Sequence, residues 1–293
     1  MALSINTNIA SLNSQRNLAT AQQALGKSMQ RLSSGLRINN AADDSAGLAI
    51  SENMRGQIRS MNQASKNAND GISLIQTAEG SLNETSSILV RMRELATQSA
   101  TGTVGSTERG YIQSEMNKLS SEIDRIAGST EFNGQKLLNG TLSGGVGSLK
   151  VNTMTFQIGA RNVTNNDTID LNIKNANSET IFGAGGGATG LKGEVNVSDQ
   201  TSAQKALDTL DTAIANVSSE RANLGATQNR LQSTMNNLQV AVENTSAAES
   251  RIRDVDVASE TAIMTRNNIL TQAGTAILSQ ANQAPQAALS LLK

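Results

Sequence analysis

Between Leu207 and Ile252 the positions Leu207, Leu210, Ile214, Val217, Arg221, Leu224, Gln228, Leu231, Met235, Leu238, Val242, Thr245, Glu249 and Ile252 advance by alternating steps of three and four. Most of them are apolar. A mean spacing of 3.5 held over about six heptads keeps one helix face on a partner and winds the pair left-handedly. The run far exceeds an average helix, so a coiled-coil or bundle seam explains it better than one amphipathic helix on a globule. Arg221, Gln228 and Glu249 are its polar members, candidates for fixing register at some cost in stability.

Partners for this seam stand in the first half of the chain. Ile58, Met61, Ala68, Ile72, Ile75, Leu82, Leu89, Met92 and Ala96 follow helical spacing, and a shorter stripe runs through Ile112, Met116, Leu119, Ile123 and Ile126. Three helices can share one seam. Thr101-Gly102-Thr103 and Gly105-Ser106 separate the two stripes, and Gly128-Ser129 ends the second before Phe132-Asn133-Gly134. Composition favours the same solution. The chain has one proline, Pro285, so long stretches lack the strongest helix breaker, and with aromatics at 1% its core must come from Leu, Ile, Val, Met and Ala.

The period then changes to two. Met154, Phe156 and Ile158 alternate with polar residues, as do Ile169, Leu171 and Ile173, and Asn165-Asn166-Asp167 offers the turn of a β-hairpin. Gly183 to Gly190 reads as a flexible surface loop. A phosphate loop fails in detail, because Gly190 is followed by Leu191-Lys192 rather than Lys-Ser/Thr. The acidic pairs Asp43-Asp44 and Asp254/Asp256 suit helix capping and ion pairing better than metal binding.

Both chain ends are amphipathic. One stripe comprises Ile5, Ile9, Leu12, Leu25, Met29, Leu32 and Leu36, the other Leu270, Ala273, Ile277, Ala281, Ala284, Ala288 and Leu291. Each reads as half of a helix pair. Asn, Gln, Ser and Thr occupy the opposite faces, which can therefore be buried at modest desolvation cost. A membrane surface suits these ends poorly, since they lack a basic face and interfacial aromatics. One two-helix hairpin buries too little apolar area to offset the ordering of both ends, so residues 1–44 and 255–293 are expected to fold on assembly with copies of the chain.

Much chemistry is excluded outright. With no His and no Cys there is no Ser-His-Asp triad, thiol nucleophile, zinc finger or disulfide, and a net charge of −1 gives no footprint for a phosphate backbone. No cofactor and no metal are expected. The first ten residues lack the regions of a Sec-type signal, and no 18-residue apolar run predicts a membrane span.

Particular strings then become recognisable: LSSGLRINNAADDSAGLAIS from Leu32, QTAEGSLNE from Gln76, RMRELATQSA from Arg91, RIRDVDVASE from Arg251 and NILTQAGTAILSQANQAPQAALSLL from Asn268. The chain resembles bacterial flagellin over nearly all of both terminal thirds, in a compact form. The resemblance implies a mainly α fold: a long antiparallel helical bundle with a small β-hairpin region and terminal helices forming a separate inner hairpin. Residues 1–44 and 255–293 would make the inner domain, and 45–254 the rod domain, with a β-hairpin region about 131–180 and a variable loop about 181–202.

The implied function is a non-catalytic subunit that self-assembles into the extracellular flagellar filament. It would leave the cell through a type III export apparatus served by an export chaperone, and meet filament cap and hook-filament junction proteins. The resemblance nominates Ile5, Ile9, Leu12, Leu270, Ile277 and Leu291 for polymerisation, with Leu36, Arg37 and Arg253 near a junction between domains. It matches Arg91, Leu95 and Glu115 to a patch read by the Toll-like flagellin receptor, with Val90 where the pattern often has Gln. A hook-filament junction protein is the alternative. An enzyme-bearing flagellin would need His-containing zinc motifs that this sequence lacks.

Overall fold

The computed structural model describes residues 8–140, 152–159, 161, 163, 166–182 and 195–290. In chain order the elements are α1 (Ile9–Ser34), α2 (Ser45–Ser99), α3 (Ser106–Ser129), β1 (Glu131–Phe132), β2 (Gln135–Lys136), β3 (Asn152–Gln157), β4 (Thr168–Ile173), α4 (Ser178–Phe182), α5 (Gln200–Arg253) and α6 (Val257–Ser290). The fold is mainly α. Two compact units are distinguished, one made of residues through Ile58 and from Glu243 onward, the other of Arg59–Val242. Their limits fall inside α2 and α5, where the helices continue without a break, rather than at the helix ends near residues 44 and 254.

The larger unit is built on the seven-residue spacing read from the sequence. Ala68, Ile75, Leu82, Leu89 and Ala96 of α2 and Leu210, Val217, Leu224 and Leu231 of α5 are buried in one hydrophobic cluster with Ile112, Met116 and Ile123 of α3. Arg93 pairs with Asp211 at 2.5 Å and Glu79 with Arg221 at 3.7 Å, so α5 runs back as α2 runs forward. The buried face of α5 is wider than the predicted seam. Ala203, Ala206, Ala213 and Glu220 are buried too. Alanines there leave room for further layers, and the apolar face of β3 and β4 joins the same cluster through Ile158, Ile169, Leu171 and Ile173. Phe156 would stand 3.3 Å from a Cβ on Gly71, a close approach that glycine permits. The Glu220 carboxylate accepts a 3.1 Å hydrogen bond from the Lys174 amide at the end of β4.

The predicted hairpin forms in the alternating register, with Met154 opposite Leu171 and Phe156 opposite Ile169. Its turn closes where the Asn166 and Asp167 amides donate to the Val163 carbonyl. A second hairpin, β1 and β2, turns on Asn133 (φ 50°) and Gly134 (φ 77°), the positive-φ pair that a type I′ turn demands. The sequence showed Asn133-Gly134 only as a break, because strands of two residues carry no periodicity. The short α4 was equally invisible. It is anchored by Asp124, whose carboxylate accepts from both the amide and the hydroxyl of Ser178 at 2.8 Å. The glycine run of residues 183–190 lies outside the described residues.

Candidate functional site

In the smaller unit α1 and α6 form the pair that the terminal stripes predicted. Each helix is started and stopped by local chemistry. The Asn8 side chain accepts from the Ser11 amide at 3.0 Å to cap α1, which ends at Gly35 in the left-handed region (φ 72°). Asp256 caps α6 by accepting from the amides of Ala258 and Ser259. Asp44 caps α2 by accepting from the Gly47 amide at 2.9 Å, as the acidic pair suggested.

The faces that meet are only in part the ones expected. Ser11 and Ser28 of α1 are buried, and Ser14, Leu18, Ala21, Ala24, Leu25 and Leu32 are half-buried; on α6 Glu260 is buried and Met264, Asn267, Thr271, Gly274, Leu278 and Ala281 are half-buried. Leu18 lies against Gly274, where an added Cβ would stand 3.2 Å from its Cδ1. The Ser11 hydroxyl donates to the Asn282 side chain and Asn8 Nδ2 to the Ala281 carbonyl, both at 2.8 Å. Small and polar residues thus alternate with half-buried Leu18, Leu25, Leu32, Met264 and Leu278, and Gly274 admits Leu18 closely.

Other large apolar residues point away from the seam. Ile9 is 75% exposed, Leu12 55%, Leu270 50% and Ile277 56%, and Met29, Val257, Ile263 and Ile269 are exposed as well. The terminal stripes are therefore split: Leu25, Leu32 and Ala281 are half-buried, whereas Ile9, Leu12, Met29, Leu270 and Ile277 are exposed. Ile5 and Leu291 lie outside the described residues. The residues that sequence reasoning missed are Ser11, Ser28, Arg31, Glu260 and Gly274. A signal existed in the small residues at Ser11, Ser14, Ala21 and Ser28, which keep helical spacing.

Leu36, Arg37 and Arg253 are brought together where α1 hands over to the next segment. Leu36 bridges Asp254 in antiparallel fashion, with the Arg37 amide donating to the Arg253 carbonyl at 2.6 Å and the Val255 amide to the Gly35 carbonyl at 3.0 Å. The Arg37 guanidinium donates to the Ile252 carbonyl at 2.6 Å, a cation on the carbonyl end of α5. Arg253 bonds Glu52 at 2.6 Å, and that hydrogen bond holds the Glu52 carboxyl below its ordinary pKa. Asp43 accepts from Lys27 at 2.6 Å and from the amides of Asn39 and Asn40, which lowers its pKa to about 2, the lysine contact being the largest cause.

On the larger unit Arg91 and Glu115 meet as an exposed ion pair at 3.0 Å, with Glu94 3.1 Å from the same guanidinium. These carboxylates raise the Arg91 pKa. Leu95 is not part of that surface. It is 3% exposed and belongs to the core, one helical turn from Arg91 but turned toward α3 and α5 by the heptad spacing. Among the described residues no group of three or more acidic side chains could hold a metal ion, and no helix is long and apolar enough to cross a membrane.

Residues 5–143 match the family described as the bacterial flagellin N-terminal helical region, and residues 207–292 the bacterial flagellin C-terminal helical region. A flagellin of Bacillus subtilis is 50% identical over 99% of both chains. The flagellar filament 33 kDa core protein of Treponema phagedenis is 47% identical over the same share of each. Among solved structures, a protein of Vibrio parahaemolyticus described as flagellar hook-associated is 17% identical, covers 72% of this chain and all of its own, and superposes with a TM-score of 0.56.

Proposed function

The chain belongs to the bacterial flagellin family and is a structural, non-catalytic subunit of the extracellular flagellar filament, and on that premise we propose that the outward apolar faces of α1 and α6 are its polymerisation surfaces. The observation that carries this reading is the uncovered apolar residues of the hairpin: Ile9, Leu12, Leu270 and Ile277 are half exposed or more in the single chain. Exposed apolar residues concentrated on one hairpin belong against another surface. Contacts between different surfaces of successive copies grow an open helix rather than a closed ring. In sequence, Ile5 and Leu291 continue the spacing of the two stripes, and the bridge at Leu36, with Arg37 and Arg253, ties the hairpin to the start of α2. We assign residues 1–44 and 255–293 to the inner domain of the filament and 45–254 to its rod.

Seeded elongation tests the reading. Purified chain added to filament fragments lengthens them, and Ile277→Asp removes that growth while leaving helicity of the larger unit intact. Unchanged elongation by the variant rejects the surface. A chain that caps seeds without lengthening them would instead be a hook-filament junction protein; likeness to a hook-associated protein at 17% identity concerns the fold alone.

The remaining partners follow from the same reading. An export chaperone and type III apparatus would handle the chain before its ends are covered, and cap and junction proteins would meet it in the filament. The Arg91–Glu115 surface is the part of the receptor patch available outside the core, without Leu95. Arg91→Asp is expected to abolish signalling in a receptor reporter assay and to spare the fold, because both partners are exposed.

A further inference from the structure

We infer that Arg266 is a contact residue between copies: in the filament its guanidinium is met by a carboxylate at the base of a neighbouring copy's hairpin, and Asp254 is that carboxylate. The inference rests on the assembly reading above and adds the chemistry of the covering surface. Arg266 stands in the middle of the outward face of α6. Ile263, Ile269 and Leu270 lie three or four residues from it and are 38%, 60% and 50% exposed, and a shallow groove there is lined by Arg266, Ile269, Leu270 and Thr265. Among the described residues no acid pairs with its side chain. Arg16 also lacks an acid, but on α1 only Leu12 of the exposed large apolar residues lies within one turn of it. Covering the face around Arg266 takes its guanidinium out of water together with the isoleucines, and a buried charge without a partner is expensive. The surface that suits this face brings an anion to it.

The charge distribution points to the surface that can do so. The two hairpin helices carry four cations, Arg16, Lys27, Arg31 and Arg266, and one acid, Glu260, which Arg31 already holds at 3.6 Å. A hairpin packed on a second hairpin therefore offers Arg266 no free carboxylate. The base of the hairpin has the opposite balance, since residues 35–56 and 243–256 contain seven acids and four cations. Most of these acids are occupied. Asp43 pairs with Lys27, Glu52 with Arg253, and Glu249 with Arg55, while Asp44 and Asp256 cap helices. That leaves Glu243 and Asp254, both exposed and without a side-chain partner among the described residues. Glu243 lies inside α5. Asp254 stands in the link between α5 and α6, held by its backbone bridge to Leu36, and so is continuous with the face to be covered. It does not serve its own chain. Arg266 is nine residues beyond Val257, about 14 Å along α6, too far for the two side chains to meet. Opposite charges that are separated within one copy and can meet between displaced copies suit a contact joining different surfaces, the kind that propagates as an open helix.

Charge reversal tests the contact on the whole chain. Seeded elongation is followed for the parent, Arg266→Glu, Asp254→Arg, an equal mixture of these two variants, and the double variant Arg266→Glu/Asp254→Arg. Circular dichroism of each soluble chain checks folding, and because both residues are exposed the helicity should match the parent. Each single variant should lengthen seeds at least about tenfold more slowly, since like charges then face each other at every contact. The mixture should recover to within about threefold of the parent, because alternating copies again oppose unlike charges, and the double variant should recover equally. Parental growth by either single variant overturns the inference. So does a mixture that grows no faster than its components, because a pair within one chain is not rescued by a second copy. Should a reversal reduce helicity, the neutral variants Arg266→Gln and Asp254→Asn decide: a combined loss smaller than the sum of the single losses supports the contact, and additive losses overturn it. A parent that does not lengthen seeds overturns the assembly reading and this contact with it, whereas parental growth without charge dependence overturns the contact alone.

Discussion

The two units treat the same kind of hydrophobic stripe in opposite ways. In the larger one the seven-residue repeats of α2 and α5 point inward, and Leu82, Leu89, Leu210 and Leu224 are at most 1% exposed. In the hairpin of α1 and α6 the most buried residues are Ser11, Ser28 and Glu260, Leu18, Leu25, Leu32 and Leu278 are only half-buried, and Ile9, Leu12, Ile269, Leu270 and Ile277 face out. Two long helices sharing a core with α3 and the β3–β4 hairpin can cover their apolar residues within one chain. Two helices alone have one face each to cover, and this sequence carries more apolar surface than that face holds. Periodicity identifies an apolar face without saying who covers it.

The contrast predicts where a truncation is felt. Leu224→Ala should lower the unfolding free energy of the larger unit by about 3 kcal/mol, within the 2–5 expected for a well-packed leucine, as measured by urea denaturation. A change under 1 would mean that this core collapses around cavities more readily than its burial suggests. Ile277→Asp is expected to do the reverse. It should shift stability of the soluble chain by less than about 0.5 kcal/mol and raise the concentration needed for seeded growth at least about tenfold, about 1.4 kcal/mol per subunit contact.

Smaller effects sharpen the picture at the joint between α1 and α2. Asp44→Ala removes the cap on the Gly47 amide and should cost about 1 kcal/mol, read as fraying of the first turn of α2 by hydrogen exchange. Hydrogen exchange on the soluble chain also tests the ends: weak protection in α1 and α6 beside strong protection in α2 and α5 is expected, and equal protection would remove the need for copies to order them. The Asp43 carboxyl supplies the smallest effect. Its folded pKa of about 2 lies below the ordinary 3.8, so the ionised form stabilises the turn above about pH 4, and that contribution is lost as pH falls toward 2. Asp43→Asn should flatten the acid limb of a helicity titration in that window and leave neutral pH behaviour of the larger unit unchanged.

Much of the fold was legible because the repeat in α5 is long. Leu210, Val217, Leu224 and Leu231 are buried as the seam required, the β3–β4 register follows its alternation, and Asp44 caps the helix it precedes. Arg221 and Glu249, read as polar seam residues, do meet charges of opposite sign, Glu79 and Arg55. The resemblance matches Leu95 to a patch by position, whereas its burial depends on which side of α2 faces the rest of the core. Glu220 and Glu260 escaped notice because a lone carboxylate in a helical run looks like any solvated one; their burial arises from β4 and α1, which are distant in sequence.

By itself the sequence determined which long segments are helical, what chemistry is impossible without His and Cys, and that some apolar faces exceed what a two-helix hairpin can cover. These are local properties: spacing, caps, breakers and composition. Only the tertiary structure decided that Leu18 of α1 packs on Gly274 of α6, that Arg31 reaches Glu260, and that Ile9, Leu12, Leu270 and Ile277 are left facing out. The choice between two faces of a helix depends on how near the partner backbone can come, and that distance is set by both helices together.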